Sequence, residues 1–104
     1  MIVTTTETVP GREIEEILGI ARGNTIRAKH IGTDIVASLR NLVGGEIGEY
    51  TKMMGEAREQ ALDRMIADGR AMGADAIIGM RLSTSMIVQG SAELLAFGTA
   101  VRLR

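Results

Sequence analysis

The sequence contains no cysteine, and this absence removes several kinds of chemistry at once. Without thiols the chain has no disulfides, no thiolate nucleophile and no thiolate metal ligands. Histidine is almost as scarce, since His30 is the only one. Heavy metals favour thiolate and then imidazole, and one imidazole is too few for the three or four protein ligands of a zinc site. We therefore predict no metal site from the residues themselves and interpret His30 as an ordinary loop or edge-strand residue.

Aromatic residues are nearly absent as well, because Tyr50 and Phe97 are the only two and there is no tryptophan. Proteins that bind single-stranded nucleic acid or RNA stack bases on aromatic side chains and carry an excess of positive charge. Here 12 basic and 13 acidic residues nearly cancel, to a net charge of −1. We therefore expect no nucleic-acid partner and identify no cofactor.

Long apolar runs are also missing, and none approaches the roughly 18 residues that a membrane span requires. The first residues are neither basic nor a signal-type apolar block. We expect a cytoplasmic protein without a membrane partner. No linker or internal repeat divides the 104 residues, so residues 1–104 are predicted to form one domain. A core of small side chains in so short a chain favours oligomerisation.

Helical periodicity is the clearest positive signal. From Glu49 to Met72 the apolar residues keep helical spacing, and Gly73 follows as a stop. A shorter helix is predicted to begin at Thr33–Asp34 and to end at Gly44-Gly45.

Strand patterns lie on both sides of these helices. We predict strands over Ile2–Thr8 and Ile17–Arg22, with Gly23-Asn24 as a turn. Two further strands follow the long helix: one begins near Ala74, and the other covers Ala92–Leu103. In the first of them one face is predicted to carry Ile78, Met80, Leu82, Thr84 and Met86. The turn between these two strands is predicted at Gln89-Gly90-Ser91. The sequence predicts a two-layer α+β domain with an antiparallel sheet on one long helix.

Several segments, in their order along the chain, resemble the YbjQ-like family. They are Arg40-Asn41-Leu42-Val43-Gly44-Gly45, Gly48 with Tyr50, Ala57-Arg58-Glu59, Met72 to Gly79, and Gly98-Thr99-Ala100-Val101. The resemblance implies a dodecin-like β-α-β-β unit, with the extra short N-terminal strands and the short helix added to it. It also implies a ring oligomer of a bacterial-type protein, as a pentamer or a dimer of pentamers. The family carries a heavy-metal-binding label, so a metal ion enters only through the resemblance, and no activity is established for the family.

The glycine-rich segment between the two predicted helices is the candidate ligand site. Guanidinium groups at Arg40 and Arg58 could bind a small anion where the backbone N–H groups of Gly44, Gly45 and Gly48 open the next helix, beside Tyr50. For both arginines, an interface or a buried ion pair is favoured over this anion site.

Four other positions are interpreted as structural. Gly73 ends a helix, and Asp75 is expected to cap the following turn by accepting nearby backbone N–H groups. Gly79 and Gly98 lie inside predicted strands, where glycine marks a bulge or a close approach of two backbones.

Two hypotheses of function follow from these observations. The first is a non-enzymatic homo-oligomer whose subunit interfaces form a small-ligand or ion site. The second is an enzyme that acts on a small anionic substrate at the glycine bend. The first is favoured because no nucleophile–base pair and no metal ligand set is visible. A purely structural assembly protein is a third possibility.

Overall fold

The computed structural model describes residues 1–28, 48–88 and 91–104, which form a four-stranded sheet with one long helix on one face. The elements are β1 (Ile2–Val3), β2 (Ile14–Ala28), α1 (Gly48–Ala71), β3 (Ala76–Val88) and β4 (Ser91–Leu103). The strand order across the sheet is β1-β3-β4-β2. The predicted α+β class is confirmed. The predicted short helix, from Thr33 to Gly45, lies outside the described residues, as does His30.

The sheet is mixed, so the prediction of an antiparallel sheet was wrong in one respect. Strands β3 and β4 pair antiparallel, and so do β2 and β4. Strand β1, however, runs parallel to β3, with Ile2 opposite Ala76. Side-chain alternation shows that a segment is extended but carries no information on the direction of the strand beside it.

Helix α1 ends where the sequence predicts, at a glycine. Gly73 has a φ of 82°, which only glycine adopts without strain. The N–H of Gly73 bonds to the carbonyl of Arg70 at 3.0 Å, and the N–H of Ala74 bonds to that of Gly69 at 3.1 Å. These two bonds form a Schellman motif, which satisfies the last carbonyls of the helix.

The helix packs on β2 and β4 through small residues. Ala96 and Ala100 of β4 are fully buried, together with Ala21 of β2 and Met65 of α1. The helix therefore lies on the face of β4 that carries Ala96 and Ala100. Short side chains let the helix axis approach the sheet closely.

Gly23 lies inside β2, so the predicted turn at Gly23-Asn24 was wrong. Strand β2 runs through this position, with Gly23 opposite Ala96 of β4. A methyl group at Gly23 would lie 2.3 Å from both the carbonyl oxygen of Ala61 and the backbone nitrogen of Met65. The glycine is required by this contact between strand and helix backbones, and local sequence carries no sign of such a contact.

A β-bulge at Gly79 changes which sheet face the side chains of β3 occupy on its two sides. The register with β4 shifts between Ile78 and Arg81, and Gly79 has a φ of 60°. Met80 therefore packs against the helix-side core, whereas Ile78 joins a second cluster on the opposite face. The prediction that these two residues share one face was wrong, because one extra residue in a strand exchanges its faces.

Candidate functional site

Among the described residues, the sheet face opposite α1 is only partly covered. At one end Val9 packs over a small cluster of Ala76, Ile78, Val101 and Leu103. On the same face β2 carries three exposed isoleucines, the first of them opposite Val101 of the cluster: Ile17 is 70% exposed, Ile20 is 61% and Ile26 is 56%. We call this surface the open face. Large apolar side chains grouped on one exposed face are typical of an interaction surface.

A row of two arginines and a phenylalanine crosses the middle of the open face. Phe97 of β4 lies directly opposite Arg22 of β2 on one side and opposite Arg81 of β3 on the other. The backbone N–H of Arg22 donates to Asp68 Oδ2 at 3.0 Å, and therefore points away from β4. Arg22 and Phe97 are therefore a non-hydrogen-bonded pair of the antiparallel ladder. Side chains in such a pair are closer than in a hydrogen-bonded pair, with about 4.5–5.5 Å between Cβ atoms.

The neighbours of this row set its electrostatics. Arg81 is held by its Nη1, which donates to the carbonyls of Thr5 at 3.0 Å and Met80 at 2.8 Å. Glu93 lies further along the same face and accepts a bond from Asn24 Nδ2 at 3.5 Å. The guanidinium of Arg22 and the remaining N–H groups of Arg81 offer donors and positive charge to a small anion.

Sequence reasoning missed this row. Arg22 was placed at the last position of a short strand, whereas β2 continues to Ala28. Alternation within β3 puts Arg81 on the polar face, but nothing local says which residue of β4 lies opposite. The available signal was Arg81, the only charged residue between Ala76 and Val88.

The predicted glycine-bend site is described only in part. Arg40, Gly44 and Gly45 lie outside the described residues, and Gly48 is the first residue of α1. Tyr50 belongs to the first turn of that helix. The anion site at this bend stays a prediction.

Arg58, the remaining residue of that predicted site, is exposed on α1. Its Nε lies 3.6 Å from Glu59 Oε1. A shallow depression of mixed charge surrounds it, to which Arg27, Lys52 and Asp63 also contribute. Acidic and basic side chains alternate there, so the depression has no charge preference of its own.

The four predicted structural residues lie at turns or close contacts. Gly73 ends α1, Gly79 lies at the bulge, and a methyl group at Gly98 would lie 2.6 Å from Ile77 Cγ2. Asp75 Oδ2 accepts the backbone N–H of Leu103 at 2.9 Å. Asp75 was expected to bond a nearby N–H, whereas this partner is distant in the sequence and ties the start of β3 to the end of β4.

Metal ligands are not grouped in the described ranges. Within them no cluster of three or more histidine, cysteine, aspartate or glutamate side chains could hold a metal ion. The acidic residues at the start of β2 face arginines instead: Glu16 lies 3.4 Å from Arg102, and Glu13 lies 3.7 Å from Arg104. These carboxylates already have positively charged neighbours.

Membrane-spanning helices are likewise not found: among the described residues no helix combines the length and the apolar character that crossing a bilayer requires.

Comparison with known proteins identifies the family. A family model described as "Putative heavy-metal-binding" matches residues 1–104. The chain belongs to the YbjQ family. A UPF0145 protein of Archaeoglobus fulgidus is 61% identical over 104 residues, which cover 100% of this chain and 96% of that protein. A UPF0145 protein of Vibrio campbellii is 58% identical over 103 residues, covering 99% of both chains.

The YbjQ relatives come from archaea as well as bacteria, so a purely bacterial-type protein was too narrow an expectation. A crystal structure of a DUF74 family protein of unknown function from Pediococcus pentosaceus is similar, with a TM-score of 0.71. It is 17% identical, and the match covers 100% of this chain and 98% of that one. This similarity supports the fold of the YbjQ chain, and the names of these relatives state no activity.

Proposed function

We propose that this YbjQ protein is a homo-oligomeric module that binds a small anion where subunits meet. The single observation that supports the proposal most strongly is the open face, on which exposed isoleucines accompany the row of Arg22, Phe97 and Arg81. The apolar residues favour a protein partner, and the arginines favour a negatively charged ligand.

Self-association follows from the magnitude of the exposed apolar surface. Burying an isoleucine side chain stabilises by about 1.5–3 kcal/mol. Ile17, Ile20 and Ile26 are each more than half exposed in the single chain, so together they offer several kcal/mol to a partner. The core of the chain consists largely of small side chains and gives modest stability, which burial of the open face against a partner would increase. A ring of five subunits is the assembly that the family resemblance implies.

The anion is preferred to a heavy metal because of the charges on the open face. Arg22 and Arg81 both repel cations, and a soft metal has no thiolate to bind in this chain. A guanidinium binds phosphate or carboxylate through two parallel hydrogen bonds. An anion at this row would also neutralise the charges of Arg22 and Arg81 when a neighbouring subunit covers the open face.

Assembly is tested by placing a charge in the apolar part of the open face. Ile20→Lys should lower the mass in native mass spectrometry and light scattering at micromolar concentration, because burying a lysine without a partner is costly. Glu59→Lys, on an exposed position of α1, is the matched control and should keep the wild-type mass. A monomeric wild-type protein at micromolar concentration would refute the proposal.

The anion site is tested by thermal shift with phosphate and with citrate. A ligand that binds only the native state raises the melting temperature. Arg22→Gln should remove most of that rise without changing the mass of the assembly, whereas Arg58→Gln should keep it. The opposite result, a loss in Arg58→Gln alone, would favour the glycine bend and overturn the site proposed here.

A further inference from the structure

The edges of the sheet at β2 and at β3 differ in which of their outward backbone groups are hydrogen-bonded by other parts of the chain. On β2, helix side chains bond the outward backbone groups: Asp68 accepts the N–H of Arg22, and Arg64 Nη1 donates to the carbonyl of Asn24 at 2.7 Å. Such bonds block a strand edge from pairing with another chain. This part of the β2 edge is therefore closed.

The first half of the β3 edge is covered by the N-terminal segment. Beyond the β1 pairing, the N–H of Thr4 bonds to the carbonyl of Ile77 at 3.0 Å, and the N–H of Met80 bonds to that of Thr4 at 3.0 Å. The N–H of Gly79 bonds to the carbonyl of Thr6 at 2.8 Å. This cover stops at Met80.

The second half of β3 presents its backbone outward. Since the N–H of Met80 points away from β4, alternation along the strand directs the backbone groups of Leu82, Thr84 and Met86 the same way. Among the described strands, none pairs with β3 on this side beyond β1. Leu82 is 42% exposed and Met86 is 73% exposed. We call these three residues, with Ser83 and Ser85 between them, the β3 edge.

The composition of the β3 edge favours pairing. No charged residue occurs from Leu82 to Ala92, and neither lysine nor proline, which commonly protect exposed edges, interrupts this stretch. The edge is also self-complementary. An antiparallel copy centred on Thr84 would place Leu82 opposite Met86 and Thr84 opposite itself, apolar against apolar and hydroxyl against hydroxyl.

We propose that the β3 edge pairs antiparallel with the β3 edge of a second copy of this chain, so that two sheets become one. Each of the three outward residues would then exchange two backbone hydrogen bonds with its opposite residue. The contact is isologous, and it closes after two copies. It extends the self-assembly proposed above but uses a different surface, so it would join two open-face assemblies to each other. An alternative occupant, the edge of a different strand in a neighbouring subunit, predicts another pattern of cross-links.

Cross-linking tests the register directly. Because the chain has no cysteine, Thr84→Cys introduces a single thiol. In the proposed pairing the two Cα atoms would be about 5.5 Å apart, within the range that a disulfide spans. Mild oxidation of dilute protein should convert most of Thr84→Cys to a covalent dimer. Thr51→Cys, exposed on α1, is the control, and equal cross-linking of the two variants would overturn the proposal.

A proline variant tests the same contact without new chemistry. Thr84→Pro removes an outward N–H and leaves the bonds to β4 intact, which proline tolerates on a free edge. Thr84→Val keeps that N–H. Native mass spectrometry should show half the wild-type mass for Thr84→Pro and the full mass for Thr84→Val, with far-ultraviolet circular dichroism unchanged in both. An unchanged mass for Thr84→Pro would refute the edge pairing even if Ile20→Lys dissociates the protein. A wild-type dimer that only Thr84→Pro disrupts would instead refute the open-face assembly.

Discussion

Gly23 allows a close contact between the backbones of the helix and the sheet, and Gly23→Ala tests this packing. A methyl group there would lie 2.3 Å from the oxygen of Ala61 and the nitrogen of Met65, and 2.7 Å from the carbonyl carbon of Arg64. Ordinary contacts of such atoms begin near 3.4 Å, so the helix would have to move by about 1 Å.

The cost of that movement is set by what surrounds the contact. Overpacking a core typically costs 1–3 kcal/mol when side chains can adjust. Here the obstructing atoms belong to the helix backbone, and moving it also opens space around Ala61 and Met65, which are fully buried. We therefore expect Gly23→Ala to lower the free energy of unfolding by about 3 kcal/mol or more, a large part of the roughly 5–15 kcal/mol of a typical domain.

The measurement is urea unfolding followed by circular dichroism at one fixed protein concentration, because self-association makes stability concentration-dependent. Gly55→Ala is the matched control. Among the described residues its methyl group would meet nothing closer than Arg58 Nη2 at 3.8 Å, and Gly55 lies in the interior of α1. The control should gain about 0.5–1 kcal/mol from helix propensity. If Gly23→Ala unfolds at the wild-type urea concentration, the close backbone contact is wrong.

Two further predictions concern polar groups in and near the core. Thr25 is 3% exposed, and its hydroxyl has no partner within the described structure, so Thr25→Val should raise the free energy of unfolding by about 1 kcal/mol. Thr25→Ser keeps the hydroxyl and should not raise the free energy of unfolding. A lower free energy of unfolding for Thr25→Val would mean that the hydroxyl is hydrogen-bonded in the assembly. Asp75→Ala removes the acceptor of the Leu103 N–H and should cost about 1 kcal/mol in the same assay, while Asp75→Asn, which keeps an acceptor, should cost less. Equal stability of Asp75→Ala and wild type would mean that this bond contributes nothing.

Sequence reasoning succeeded where structure is local. The stripe from Glu49 to Met72 predicted α1, which covers Gly48–Ala71. The glycine stop also agrees with the structure, because it depends on residues within a turn of the chain.

Prediction was wrong where a residue depends on a distant partner. Gly23 was interpreted as part of a turn because glycine is common in turns. The structure instead requires glycine there because the backbone of α1 leaves no room for a side chain. The faces of β3 were assigned from unbroken alternation, and a bulge at Gly79 exchanged them. In the candidate site, Arg22, Phe97 and Arg81 form one row only because three strands pair in a particular register.

The sequence by itself determined the class of fold, the limits of the long helix, the hairpin order and the exclusion of cysteine chemistry. These follow from composition and from periodicities that repeat every two or every 3.6 residues. Only the tertiary structure decided the parallel pairing of β1, the open face, the arginine row and the difference in hydrogen bonding between the two sheet edges. The physical reason is that strand pairing joins residues far apart in the chain, and alternation constrains which face a side chain occupies but not which neighbour lies opposite.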